Sequence, residues 1–127
     1  MDRKIISTEN APSAIGYYSQ AIISNGIIYT AGQIPLDPSS GEVVSADFIE
    51  QAKQVFKNLE AVLTEAGSSV KQSIKFNVYL TDMSNYNDLN KVFKERFAGV
   101  APPARSVVEV SRLPKDVLIE IDCIAKV

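Results

Sequence analysis

Two charged side chains interrupt β-rich runs in the last quarter of the chain: Arg105 in PARSVVEV and Glu120 in VLIEIDCIAKV. An arginine fixed at a strand start offers a rigid fork for a planar carboxylate, through two parallel hydrogen bonds. A carboxylate set among apolar residues has a raised pKa and can hold or activate a water. Each has an ordinary alternative. Arg105 can reach water or form an internal salt bridge. Glu120 can sit at a sheet edge or against a basic neighbour, with Asp122 as its nearest rival. Strand alternation puts Arg105, Val107 and Glu109 on one face, and Glu120 with Leu118, Asp122 and Ile124 on one face.

Further candidates are weaker. GYYSQ, residues 16–20, sets Tyr17 and Tyr18 beside a glycine, where either ring can cover a small ligand or anchor the N-terminal arm. Gly32 ends a β-rich run and permits close backbone approach. The single cysteine, Cys123, lies in an apolar run and reads as a buried thiol, and the chain has no histidine. The commonest general base and the commonest ligand of catalytic zinc are thereby removed. No metal-ligand spacing, dinucleotide fingerprint or phosphate loop is present. Chemistry here rests on Arg, Glu, Asp, Tyr, Asn, Ser or the backbone.

The elements that must position these groups are legible from pattern. With 127 residues the expectation is one domain, 1–127. Asn25-Gly26 within AIISNGIIYT predicts a type I′ hairpin. A turn-rich loop, residues 35–41, follows and returns through Glu42, Val43 and Val44. A helix is expected from Ser45 or Asp47 to Ala66, with Asp47 and Glu50 as a cap and Gly67 just past its end. Its apolar stripe is Ile49, Ala52, Val55, Phe56, Leu59, Val62, Leu63 and Ala66. SIKFNVYL, residues 73–80, alternates cleanly, with Ile74, Phe76, Val78 and Leu80 opposite Lys75, Asn77 and Tyr79. A second helix, residues 85–97, turns Tyr86, Leu89, Phe93 and Phe97 inward and puts Asn90 at the margin. Two strands, 105–111 and 117–126, complete a β-β-α-β-α-β-β order. That order implies an α+β mixed sheet with two helices packed on one face. The other face is half polar and suits either solvent or self-association.

The net charge of −2 argues against a nucleic-acid partner. No run approaches the roughly 20 apolar residues of a membrane span, and the start lacks the apolar core of a signal peptide. A cytoplasmic location is the simplest expectation.

The run ARSVVEVSRLPKDVLIEI, residues 104–121, resembles the C-terminal signature of the RidA (YjgF/YER/UK) family of reactive intermediate deaminases. ENAP (9–12), Ile15-Gly16, YSQ (18–20) and GQIP (32–35) resemble its N-terminal blocks. The resemblance spans essentially the whole chain. It implies a chorismate-mutase-like fold and a homotrimer with clefts between subunits. It implies hydrolysis of 2-imino acids, such as 2-iminobutanoate and 2-iminopropanoate, to 2-oxo acids and ammonia, without a cofactor. By the same resemblance, Arg105 grips the substrate carboxylate and Glu120 serves the attacking water. Tyr18 lines the cleft, Asn90 orients loop or substrate, and the Gly32 backbone lies close to the ligand.

Two positions depart from the family pattern. Val107 stands where active members commonly carry cysteine; valine cannot supply a thiol, and the swap is tolerated if the family contribution there is a backbone carbonyl holding water. Tyr17 stands where Gly-Pro-Tyr is usual. The Val107 departure keeps open a non-catalytic binder of small carboxylates that acts through a protein partner. RNA cleavage, also reported in the family, fits poorly with the charge and the missing histidine.

Overall fold

The computed structural model describes residues 2–127. Its strands are β1 (Lys4–Ile6), β2 (Ala21–Ser24), β3 (Ile27–Thr30), β4 (Ser73–Leu80), β5 (Ala104–Glu109) and β6 (Ile119–Lys126). Its helices are α1 (Phe48–Glu65) and α2 (Tyr86–Arg96). The strands form one sheet in the order β1-β2-β3-β6-β4-β5. Every pairing is antiparallel except β4 with β5, whose parallel alignment follows from the α2 crossover between them. The fold is the expected α+β mixed sheet with both helices on one face.

The hairpin turns as its dipeptide requires. Asn25 and Gly26 have φ of 52° and 77°, the pair of positive values that a type I′ turn needs. The α1 stripe covers the sheet from Ala52 to Leu63, while Ile49 and Ala66 are only partly buried. Phe56 of α1 meets Phe76 of β4, and Phe93 and Phe97 close the group, with ring centroids 5.1–6.4 Å from that of Phe56. This cluster ties both helices to one face of β4 through stacked and edge-on contacts.

Several expectations need correction. β1 had no sequence signal, because three residues at a sheet edge carry too little pattern. The return through Glu42–Val44 shrinks to a single bridge between Leu36 and Val43. Ile74 is exposed, not inward, because the β4–β6 register shifts between Ser73 and Lys75. Tyr86, expected in the core, is 40% exposed at the start of α2. Gln51 and Asn58, outside the apolar stripe read from the sequence, are also buried in α1.

Half of the expected capping box forms. The Asp47 carboxylate accepts the Glu50 N–H at 3.1 Å, whereas the Asp47 N–H donates to Ser45 Oγ at 3.0 Å. Asp47→Ala is therefore expected to cost about 1 kcal/mol. Thermal unfolding should show a Tm lowered by a few degrees; an unchanged Tm would mean the cap contributes nothing.

Candidate active site

Each candidate's position follows from sheet parity. Phe76, Val78 and Leu80 of β4 point to the helices, as do Ile119, Ile121, Cys123 and Ala125 of β6. Arg105 and Val107 pair with Phe76 and Val78, so they share the helix-covered face. Glu120 pairs with Tyr79 and Asp122 with Asn77, so both lie on the open face.

Arg105 stands on edge strand β5, against α2. Its Nη2 donates to Asn90 Oδ1 at 2.8 Å and to the Tyr86 hydroxyl at 3.2 Å. The guanidinium carbon lies 4.7 Å from the Phe93 ring centroid and 5.5 Å from that of Tyr86. Tyr86, Asn90 and Phe93 fall at helical spacing, so one side of α2 forms this cradle. Sequence reading missed Tyr86 because its aromaticity argued for burial. Among the described residues, the ion pairs are Lys91–Asp88 and Arg112–Asp116, and Arg105 joins neither. A half-buried guanidinium is thus held by neutral groups and two aromatic rings, with donors to spare. The internal salt bridge is ruled out, and the arrangement suits an external carboxylate. A cavity of about 520 Å³ adjoins it, lined by Asn90, Phe93, Val100, Pro102 and Arg105 among others.

Val107 packs its side chain on the margin of the core. Its backbone is better placed for chemistry. The Val110 N–H donates to Leu80 O, across β4. Alternation then turns the amide groups of Ser106 and Val108 toward β4 and those of Arg105 and Val107 toward the free edge. The Val107 carbonyl therefore needs no side-chain thiol to reach a neighbour.

Glu120 is half-buried, and its carboxylate lies over the backbone of Gly32. A Cβ built on Gly32 would overlap Glu120 Oε2 and lie 2.8 Å from its Cδ. A side chain at Gly32 would therefore displace the Glu120 carboxylate from this position, and no positive φ is involved. Burial pushes the Glu120 carboxyl above its ordinary value of 4.5, and the neighbouring Asp122 adds to the rise. Asp122 is committed elsewhere, accepting from Asn77 Nδ2 at 2.8 Å and from the Tyr79 hydroxyl at 3.2 Å.

Tyr18, Gly32 and Glu120 line one cavity of about 350 Å³, closed by Pro12, Gly16 and Pro114. Tyr18 is held although proline is missing before it. Its N–H donates to Gly16 O at 3.1 Å and its hydroxyl accepts the Ile15 N–H at 3.4 Å. Tyr17 is fully exposed. Cys123 is buried, and burial pushes its thiol up to about 12, so it is no nucleophile.

The expected site residues thus fall into two half-sites. Arg105 and Asn90 belong to one, and Tyr18, Gly32 and Glu120 to the other. They occupy opposite faces of the sheet, with β4 between their strands. Two strand spacings already amount to roughly 10 Å. One small substrate cannot touch Arg105 and Glu120 of the same chain.

The family model described as endoribonuclease L-PSP matches residues 8–127. The chain belongs to this family, the RidA (YjgF) proteins. The 2-iminobutanoate/2-iminopropanoate deaminase of Mus musculus is 44% identical to it, over 97% of this chain and 90% of that protein. A crystal structure of the conserved Rid family protein YyfA of Yersinia pestis superposes with a TM-score of 0.96. It is 47% identical and covers 98% of this chain and 99% of its own. The structure of E. coli TdcF with bound serine gives a TM-score of 0.92 at 41% identity, covering 98% of both chains. These matches agree with the chorismate-mutase-like architecture expected of RidA proteins. Among the described residues, no helix is long and apolar enough to cross a membrane, and no cluster of metal-binding side chains occurs.

Proposed function

We propose that this protein is a 2-iminobutanoate/2-iminopropanoate deaminase, one RidA-like domain over residues 1–127, acting as a homotrimer with its sites between subunits. The observation that carries the reading is Arg105, a half-buried cation cradled by neutral groups. Similarity to the mouse deaminase supports the substrate class. The serine bound by TdcF supports a small amino-acid-like ligand in a close relative.

The reaction adds water to a C=N bond and releases ammonia. Arg105 binds the carboxylate through its free N–H groups and fixes the imine carbon. Glu120 of a neighbouring copy, ionised, takes a proton from a held water as the oxygen bonds to that carbon. The substrate reacts as its protonated imine, so the resulting carbinolamine carries a hydroxyl and a neutral amine. Glu120 returns the proton to nitrogen and then accepts the hydroxyl proton as the carbonyl forms and the C–N bond breaks; that last proton departs with the ammonia as ammonium. Positioning and charge placement supply the rate gain, since imines already react with water. Asn90 and Tyr86 keep the fork aimed, while Tyr18 and Gly32 bound the water side. The subunit interface is favoured because the two half-sites lie on opposite faces of each chain's sheet.

Freshly generated 2-iminobutanoate should decay faster with the protein than without it. No acceleration by an intact oligomer, with 2-oxobutanoate still bound in calorimetry, would favour the carboxylate-binder reading opened by Val107. Light scattering should give three times the chain's 13.9 kDa. A stable monomer at working concentration would reject the shared cleft.

The pH dependence has a definite sign. Glu120 must be ionised to accept a proton, so kcat/KM should rise with pH through its raised pKa. Asp122→Asn removes the lesser cause of that rise. Its acid limb should move to lower pH yet stay above the ordinary glutamate value, because burial remains. A limb that stays in place or moves up would exclude Glu120 as the titrating group.

A further inference from the structure

We infer that Gln20 is a positioning residue for the Tyr18 side of the site, acting as the clasp of the loop that carries Tyr18. Gln20 is only 5% exposed, a costly place for an amide unless its groups are paired. Its Oε1 accepts the Thr8 N–H at 2.7 Å. Its Nε2 donates to Pro12 O at 2.8 Å and Thr8 O at 3.1 Å, with Ala11 O at 3.5 Å. One side chain thus satisfies backbone groups that no strand reaches.

The clasp matters because little else holds this segment. Between β1 and Gln20, the other hydrogen bonds are internal: Asn10 to Thr8, Ile15 to Tyr18 and Tyr18 to Gly16. Among the described residues, the only side-chain hydrogen bonds from residues 7–19 to a group outside them are those of the Gln20 amide, and the one residue of the segment buried in the core is Ala11. Residues 12–20 therefore form a loop whose two ends are joined by this side chain, in the manner of a compact Ω-loop. Pro12, Ser13, Ile15, Gly16 and Tyr18 of that loop make one wall of the Glu120 cavity, opposite Gly32 and Pro114. Gln20 touches neither the cavity nor Glu120, so its effect passes through the loop.

This inference rests on the deaminase reading for its kinetic consequence, but the placement of the loop is measurable without it. Gln20→Leu keeps the volume and deletes all the bonds. The expected result is a KM raised roughly fivefold with kcat within about twofold, because the binding wall loosens while Arg105 and Glu120 stay. Amide exchange at Ile15 and Tyr18 should quicken by about tenfold, with α1 amides unchanged. Asp47→Ala serves as the control: it lowers stability at the far end of α1 without touching the loop, and should leave KM and loop exchange at wild-type values. Should Gln20→Leu fail to fold, Gln20→Asn, one methylene shorter, is read the same way. Wild-type KM and wild-type exchange at Ile15 and Tyr18 in either folded variant would overturn the inference and leave Gln20 as a stability residue. If the unaltered protein does not hydrolyse the imine, the exchange rates and the affinity for 2-oxobutanoate still decide the role of Gln20.

Discussion

Glu120→Gln is expected to lower kcat by at least roughly a hundredfold, about 2.7 kcal/mol of barrier, the low end of what a positioned base contributes. The amide keeps the shape that Gly32 accommodates, so the cavity should stay intact while the proton acceptor is lost. The acid limb of the pH profile should vanish with it. Stability should move the opposite way. The folded-state pKa of Glu120 is raised, by burial first and by Asp122 second. A group raised on folding contributes stability below its unfolded pKa and loses it as pH rises through the folded pKa. At neutral pH the ionised carboxylate is thus a cost to the fold, and glutamine should unfold at a higher temperature. A variant that is slower and more stable would mark Glu120 as retained for chemistry. Wild-type kcat would return it to an ordinary sheet-face carboxylate.

The layers of the fold were legible because their signals are local. Asn25-Gly26 names its own turn, α1 carries an unbroken stripe from Ala52 to Leu63, and β4 alternates from Phe76 onward. What escaped depends on distant partners. The three residues of β1 gain their pairing only from β2. The bulge that turns out Ile74 arises in the register with β6. Gln20, Gln51 and Asn58 are buried because each amide satisfies backbone groups from other segments. Composition cannot show that, since the same residue types usually face water.

The site divided in the same way. Alternation gave the face mates of Arg105 and of Glu120, and the family resemblance supplied their roles. Neither told how the two faces relate, because that needs the registers of β5 and β6 on the shared β4. Only then does the conflict appear: one chain presents its fork and its base to opposite sides.

Arg105→Ala is expected to lose at least roughly tenfold in kcat/KM, about 1.4 kcal/mol, with Asn90 and Tyr86 left facing an empty fork. Arg105→Lys keeps the charge and loses the planar fork. If the fork also sets the imine carbon against the water, kcat should fall along with affinity. The stronger test uses both defects together. A subunit with Arg105→Ala still offers its Glu120, and one with Glu120→Gln still offers its Arg105. Unfolded together and reassembled in equal amounts, they should rebuild about a quarter of the interfaces with both groups intact, by random pairing in a ring of like contacts. Activity should then climb well above the sum of the separate variants, towards that fraction of wild type. A site contained within one chain predicts no recovery at any mixing ratio. Absence of recovery in a demonstrably mixed oligomer would refute the shared cleft, and wild-type kcat/KM in Arg105→Ala would leave the guanidinium a strand-end cation resting on Phe93.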